Sequence, residues 1–295
     1  MEQLSGFLNV FKPPGVTSQQ VVARVRRLTR QRRVGHLGTL DPAAVGVLPI
    51  ALGPATRLAS SPIWDVKLYW ADVRFGSATD TDDAQGVTVA VGETSALDLP
   101  MLQQALGAFI GTVSQRPPGY SAVHTGGQRA YALARRGETP VLPPRVVQID
   151  AIEVVGWEPP MLSLRVQCRS GTYIRAIARD LGEAVGCPAH LAALVRLRVG
   201  PFTLDDALSY ADLDAIAADG DWNRALWAED LAARDRPALV LDEDGVRRFG
   251  WGQAREAQGA EGTARVYNAE GVFLGLASGA GDSWQPSIVF PSAAS

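Results

Sequence analysis

The chain has 295 residues, a formal net charge of −3, 46% apolar and 20% charged residues, which describes an ordinary globular protein of one or two domains. That balance argues against indiscriminate polyanion binding, and no apolar run is long enough to span a bilayer. The N-terminus lacks the basic-then-apolar pattern of a signal peptide, and Cys168 and Cys187, the only cysteines, exclude a disulfide framework or a zinc site, so the expected location is cytoplasmic.

Residues 7–11 form a short apolar run closed by the turn Lys12-Pro13-Pro14-Gly15. Thr17 or Ser18 caps a predicted helix in which Val21, Val22, Val25 and Leu28 recur at helical spacing. Arg26, Arg27 and Arg30 project from its other side, within a run of six arginines between Arg24 and Arg33. Such a face is either solvated or in contact with phosphates. Lysine, by contrast, occurs only at Lys12 and Lys67.

Next comes Gly35-His36-Leu37-Gly38-Thr39-Leu40-Asp41-Pro42. Its glycines permit a bend and close approach to a ligand, and Pro42 bars a helix from running through Asp41. The apolar run from Val45 to Leu52 anchors the loop behind. A lone carboxylate is therefore displayed beside a histidine; on these residues alone the plain alternative is an Asp-Pro turn.

Residues 67–75 alternate, with Tyr69, Ala71, Val73 and Phe75 on one face of a predicted strand. The polar loop 76–86 carries aspartates, but not at the spacing of a calcium-binding loop and without its terminal glutamate. No metal is expected. Residues 97–110 read as an amphipathic helix with Leu99, Leu102, Leu106 and Phe109 on related turns. Residues 115–129 form a glycine-rich, basic loop before a short helix with Tyr131, Arg135 and Arg136, either a nucleic-acid clamp or a solvated surface.

Residues 162–168 alternate as a strand with Leu162, Leu164, Val166 and Cys168 inward. Arg169-Ser170-Gly171-Thr172 then turns into a helix through Leu181, whose core face is Ile174, Ile177, Ala178 and Leu181. Arg175 sits in the first turn, an end whose dipole prefers acids, which points to a role beyond a solvated charge. Residues 202–236 read as helical and acidic, with caps at Thr203 and Ser209. From Pro237 the pieces are short and apolar, with a hairpin signal at Asn268-Ala269-Glu270-Gly271, so 237–295 is predicted as a small β-rich domain after a domain of residues 1–236.

Four stretches together resemble the TruB family of tRNA pseudouridine-55 synthases: Lys12-Pro13-Pro14-Gly15-Val16-Thr17-Ser18, Gly35 to Pro42, Gln115-Arg116-Pro117-Pro118-Gly119-Tyr120-Ser121-Ala122 and Ser170-Gly171-Thr172-Tyr173-Ile174-Arg175. The resemblance covers about residues 6 to 200 and implies an α/β (α+β) catalytic domain with a central, mostly antiparallel sheet. It extends more weakly to a PUA-like RNA-binding domain at the C-terminus. The implied activity is isomerisation of uridine 55 in the tRNA T-arm; separately, the chain is expected to act as a monomer, with no cofactor, membrane or protein partner required. The family's catalytic aspartate, tyrosine and arginine fall on Asp41, Tyr69 and Arg175, and the residues lining the flipped nucleotide on His36, Tyr173 and Leu194. Residues 115–145 become an RNA-gripping insertion, with Arg26, Arg27, Arg30, Arg33 and Arg129 toward the RNA backbone. Two departures alter charge near RNA: His124 where a lysine is frequent, and Ala78 where an arginine is frequent.

Forming pseudouridine breaks a C–N bond and rejoins the base through carbon, so it changes no oxidation state. A carboxylate can attack or stabilise the cationic sugar, and a neighbouring guanidinium favours its ionised form. The base must first leave the stack, which His36 can aid by filling the gap and Tyr69 by stacking, the latter contributing about 1–3 kcal/mol. Competing readings are a non-catalytic RNA-binding or tRNA-folding protein and a hydrolytic glycosidase, which usually needs two carboxylates where only one is evident here.

Overall fold

In the computed structural model, residues 3–119 and 142–290 are described, with the backbone of two short strands between them. The elements in order are β1 (Gly6–Lys12), α1 (Ser18–Thr29), β2 (Val34–His36), β3 (Val45–Leu52), β4 (Lys67–Phe75), β5 (Ser77–Thr79) and β6 (Thr88–Val91). Then follow α2 (Leu99–Leu106), β7 (Gly111–Gln115), β8 (His124–Thr125), β9 (Gln128–Arg129), β10 (Arg145–Glu158), β11 (Met161–Cys168), α3 (Ile174–Ala184), β12 (Ala189–Val199) and β13 (Phe202–Thr203). The remainder comprises α4 (Tyr210–Asp219), β14 (Ala238–Leu241), α5 (Glu243–Gly250), β15 (Arg255–Ala260), β16 (Thr263–Asn268), β17 (Phe273–Gly279) and β18 (Gly281–Val289).

The large sheet runs β1-β3-β12-β4-β11-β10-β7, with β2 beside β3 and β13 beside β12. Every pairing in it is antiparallel except β3 with β12. One edge of β3 is lined by β1 throughout, while the other is shared between β12 at Val45–Gly46 and β2 at Ile50–Leu52. The loop carrying Asp41 leaves β2 at His36, opposite Ile50, and enters β3 at Val45, beside β12.

The predicted faces of β4, β11 and α3 are the buried ones, and they share a core with α2 through Leu102 and Leu106. Thr17 caps α1 through a capping box with Gln20, while Val21, Val22 and Val25 pack on the β1–β3 side. A second sheet, β14-β16-β17-β18-β15, follows Pro237. Its Leu276 and the adjoining Phe290 join Phe7 and Phe202 of the first sheet, and Trp64 from the 3-10 turn before β4, in one apolar cluster.

Three expectations need correction. Residues 202–236 are not one helical stretch: Phe202–Thr203 is a strand pairing with β12, α4 covers only Tyr210–Asp219, and a 3-10 turn spans Glu229–Ala233. Thr203 is accordingly no cap, because its neighbour Phe202 is drawn into the aromatic cluster, whereas Ser209 caps α4. The helix expected over 97–110 tightens to 3-10 at Gly107–Phe109, and the loop 76–86 opens with strand β5, paired to β6. Tyr131, Arg135, Arg136 and the side chains of His124 and Arg129 lie outside the described residues.

Candidate active site

The motif 12–18 wraps the Asp41 loop. Lys12 Nζ donates to the carbonyls of Pro13, Val16 and Pro42 at 2.9, 2.8 and 3.1 Å, and Gly15 N donates to Pro42 O at 2.9 Å. Ser18 Oγ donates to Leu40 O at 3.0 Å and accepts from Leu40 N at 2.9 Å. The residues on either side of Asp41 are thus pinned through their backbones, so the carboxylate projects from a restrained turn. Burial lowers the Lys12 ammonium to about 8, with Asp41 opposing and Arg196 adding to the shift.

Arg175 reaches Asp41 from α3, Nε to Oδ2 at 3.1 Å, with the arginine side chain 6% exposed and the carboxylate 40% exposed. The same guanidinium donates from Nη1 to Thr81 O at 3.1 Å and lies 3.4 Å from Asp83 Oδ2. A cleft of about 240 Å³ opens here, lined by Asp41, Asp83, Gln85, Arg175, Leu191 and Leu194 among others. The acid, the arginine and Leu194 therefore meet at one opening, although they arise from three separate parts of the chain.

Asp83 corrects the reading that no second carboxylate lies near Asp41. The turn 80–83 folds back beside α3, a contact that sequence spacing does not reveal. Asp83 Oδ1 accepts from Thr81 Oγ1 at 2.7 Å and Gln85 N at 3.0 Å, while Oδ2 faces Arg175. Both oxygens are engaged in bracing the turn and the guanidinium, so Asp83 does not stand as a glycosidase's opposing acid. Its neighbour Asp82 pairs with Arg179 at 2.8 Å, and Asp80 Oδ1 accepts from Val87 N at 2.8 Å. Each aspartate of the loop thus has a protein donor or cation.

Tyr69 lies beneath the loop at 7% exposure, in the cluster that holds Leu40 and Ala44 and packs against Leu194. Burial pushes its phenol up to about 12, which leaves it neutral and a poor base near pH 7. His36 sits on the loop's other side, its Nδ1 accepting from Gly38 N at 3.4 Å and its Nε2 3.3 Å from Gln19. This is the ordinary loop hydrogen bond, and burial with the Arg196 charge lowers the imidazole below its usual range. Gln19 and Arg26 are two helical turns apart on one side of α1, and Arg26 reaches Val34 O at 3.4 Å. The exposed Arg26 and Arg30 therefore continue the helix face that touches His36, with Arg27 and Arg33 exposed nearby. Arg24 leaves this set, tied to Asp214 and stacked over Tyr210.

Tyr173 does not line the cleft. It precedes α3, where Gln115 grips its backbone (Tyr173 N to Oε1, 2.8 Å; Nε2 to Tyr173 O, 3.1 Å), and its side chain packs on Leu142. Two buried cations complete the site. Lys67 Nζ donates to Trp64 O, Asp65 O and Ser170 Oγ, and burial lowers it to about 8. Arg196, which pattern reading missed, is completely buried between β3 and the Asp41 loop. The available signal was an arginine inside the otherwise apolar run Leu191–Leu197.

Residues 26–174 match the TruB family pseudouridylate synthase (N terminal domain), and 175–231 match the tRNA pseudouridylate synthase B C-terminal domain. Residues 237–283 match a further segment, pseudouridine synthase II TruB, C-terminal. The tRNA pseudouridine synthase B of Gloeobacter violaceus is 44% identical over 98% of this chain and all of its own length. The chain belongs to the TruB family of pseudouridylate synthases. A second TruB relative, from Acaryochloris marina and of the same name, is 40% identical over 97% of this chain and 99% of its own. A solved Cbf5-Nop10-Gar1 complex contains a chain with the TruB-like fold at TM-score 0.72 and 26% identity, covering 94% of this chain and 79% of that one.

Proposed function

We propose that this TruB family member isomerises uridine 55 of the tRNA T-arm to pseudouridine, with the target nucleotide flipped into the Asp41 cleft. The observation that carries the reading is the 3.1 Å contact between Asp41 Oδ2 and Arg175 Nε at the mouth of that cleft. Arg175 holds one carboxylate oxygen and balances its charge, while the exposed remainder of the group meets the positive charge that develops on the ribose as the C–N bond breaks. The bond from ribose to N1 is lost and one to C5 is made, while the C5 proton departs and N1 takes up a proton, so the reaction is internally balanced.

The cleft, about 240 Å³, is smaller than the roughly 300–1,000 Å³ of drug-sized sites, which suits one flipped base better than a free cofactor. Leu194 lines its wall, Tyr69 lies in the core against which Leu194 packs, and His36 supports the loop from the side of the arginine row. Tyr173 acts through the start of α3, holding the turn that delivers Arg175. Arg26, Arg27, Arg30, Arg33 and Arg129 attract phosphates, which supplies affinity without sequence identity. Residues 1–236 serve as the catalytic domain, 115–145 as its RNA-gripping insertion, and 237–295 as a PUA-like RNA-binding domain. The enzyme works as a cytoplasmic monomer on tRNA, with no cofactor or protein partner.

Tritium release from a T-arm RNA labelled at uracil C5 tests the reading. Native protein should release tritium and yield pseudouridine at position 55, and Asp41→Asn should yield essentially none while still binding RNA. Binding without release by the native chain would leave an RNA-binding protein instead.

A further inference from the structure

Arg196 and Tyr69 are cross-strand partners in the β12–β4 register, so their side chains rise on the same face of the sheet. The Arg196 guanidinium is 0% exposed and spends its donors on three carbonyls: Nε on Val47 at 2.7 Å, Nη1 on Thr39 at 3.0 Å and Nη2 on Gly38 at 3.1 Å. The Tyr69 phenol beside it lies close enough to feel its charge. Among the described residues no carboxylate lies within ion-pair range of it. A buried cation neutralised only by dipoles is costly, and an apolar side chain would fill the same space without that cost. Here the cost is greater because the buried ammonium groups of Lys12 and Lys67 lie close enough to feel its charge.

What Arg196 does that an apolar residue cannot is join two separate pieces of the cleft. The carbonyls of Gly38 and Thr39 belong to the loop immediately before Asp41, and the phenol belongs to β4. We propose that Arg196 is a positioning residue that locks the Asp41 loop to Tyr69, so that acid and aromatic ring hold a constant relative placement. The proposal rests on the roles given to Asp41 and Tyr69 above. A planar fork with donors on several edges suits this task; a lysine keeps the charge but cannot reach all three carbonyls.

Arg196→Lys and Arg196→Met test it on T-arm RNA. The expected result is a fall in kcat of roughly 10–100-fold, the scale of a small misplacement, with KM and RNA affinity within about twofold of native. A stable Arg196→Lys with native kcat overturns the proposal, as does a loss of RNA affinity that accounts for the whole defect. Should neither variant fold, hydrogen exchange on Tyr69→Phe decides, because it removes only the phenol end of the bridge. Amides 37–41 should then exchange faster while β3 stays protected, and unchanged exchange at 37–41 refutes the coupling. If native protein makes no pseudouridine, the reading of the site fails instead, and exchange still reports on the bridge alone.

Discussion

Replacing Ser18 with alanine removes one oxygen and strands two backbone groups. Ser18 is buried, and its hydroxyl both donates to Leu40 O and accepts from Leu40 N, at 3.0 and 2.9 Å. Alanine leaves a buried N–H and a buried C=O without that partner, at about 1–3 kcal/mol each. The lost volume is one atom, so the cavity contribution is small beside this. Allowing for partial relaxation of the loop, the expected loss is about 2–4 kcal/mol, or roughly 4–12 °C in Tm for a chain of this size. Because Leu40 precedes Asp41, turnover should fall with stability while T-arm affinity holds, since the hydroxyl is turned inward. Near-UV circular dichroism during heating gives the first quantity, and tritium release at a temperature where both proteins are folded gives the second. A variant that melts within about 1 °C of native and turns over normally would refute the idea that motif 12–18 acts by pinning this backbone.

Gly46 should be equally unforgiving. Its φ is +111°, and a Cβ there would collide with Arg196 O, a backbone atom that cannot swing away. Gly46→Ala should therefore lose several kcal/mol, on the order of the 3–5 of a severe core defect, and be recovered mainly as aggregate; a soluble variant with native Tm contradicts this. RNA affinity should fall steeply with added salt, and neutralising Arg26, Arg27, Arg30 or Arg33 singly should lower the log–log slope by about 1 for each phosphate that arginine neutralises. Slopes equal to native in all four variants would remove the arginine row from the interface. Lys12 and Lys67 titrate near 8 when folded and near 10.4 when unfolded. Between those values the unfolded chain binds more protons, so stability rises with pH. Tyr69, raised to about 12, works the other way above about pH 10. Denaturant midpoints should consequently climb from pH 8 to 9.5, less steeply in Lys67→Met, and identical flat profiles in both proteins would exclude the effect.

The local elements and the displayed acid were readable from residue order. Periodicity marked β4, β11 and α3 and their inward faces, the Thr17 cap opened α1, and Pro42 with the two loop glycines set Asp41 on a turn. These signals are local because they arise from sterics and burial over a few consecutive residues. The strands β10 and β12 escaped for a related reason: each carries two irregularities in register, which break the alternation by which a strand is recognised. With β12 unseen, Arg196 could not be placed against Tyr69, and neither could the parallel contact at Gly46 that lets β12 approach the Asp41 loop. Asp83 beside Arg175, Ser18 around Leu40 and Lys12 on Pro42 are likewise contacts across long stretches of chain. Residue order determined which chemical groups were available and which faces were apolar; only tertiary packing decided which of those groups share a desolvated space, because hydrogen bonds and charges act over ångströms rather than along the sequence.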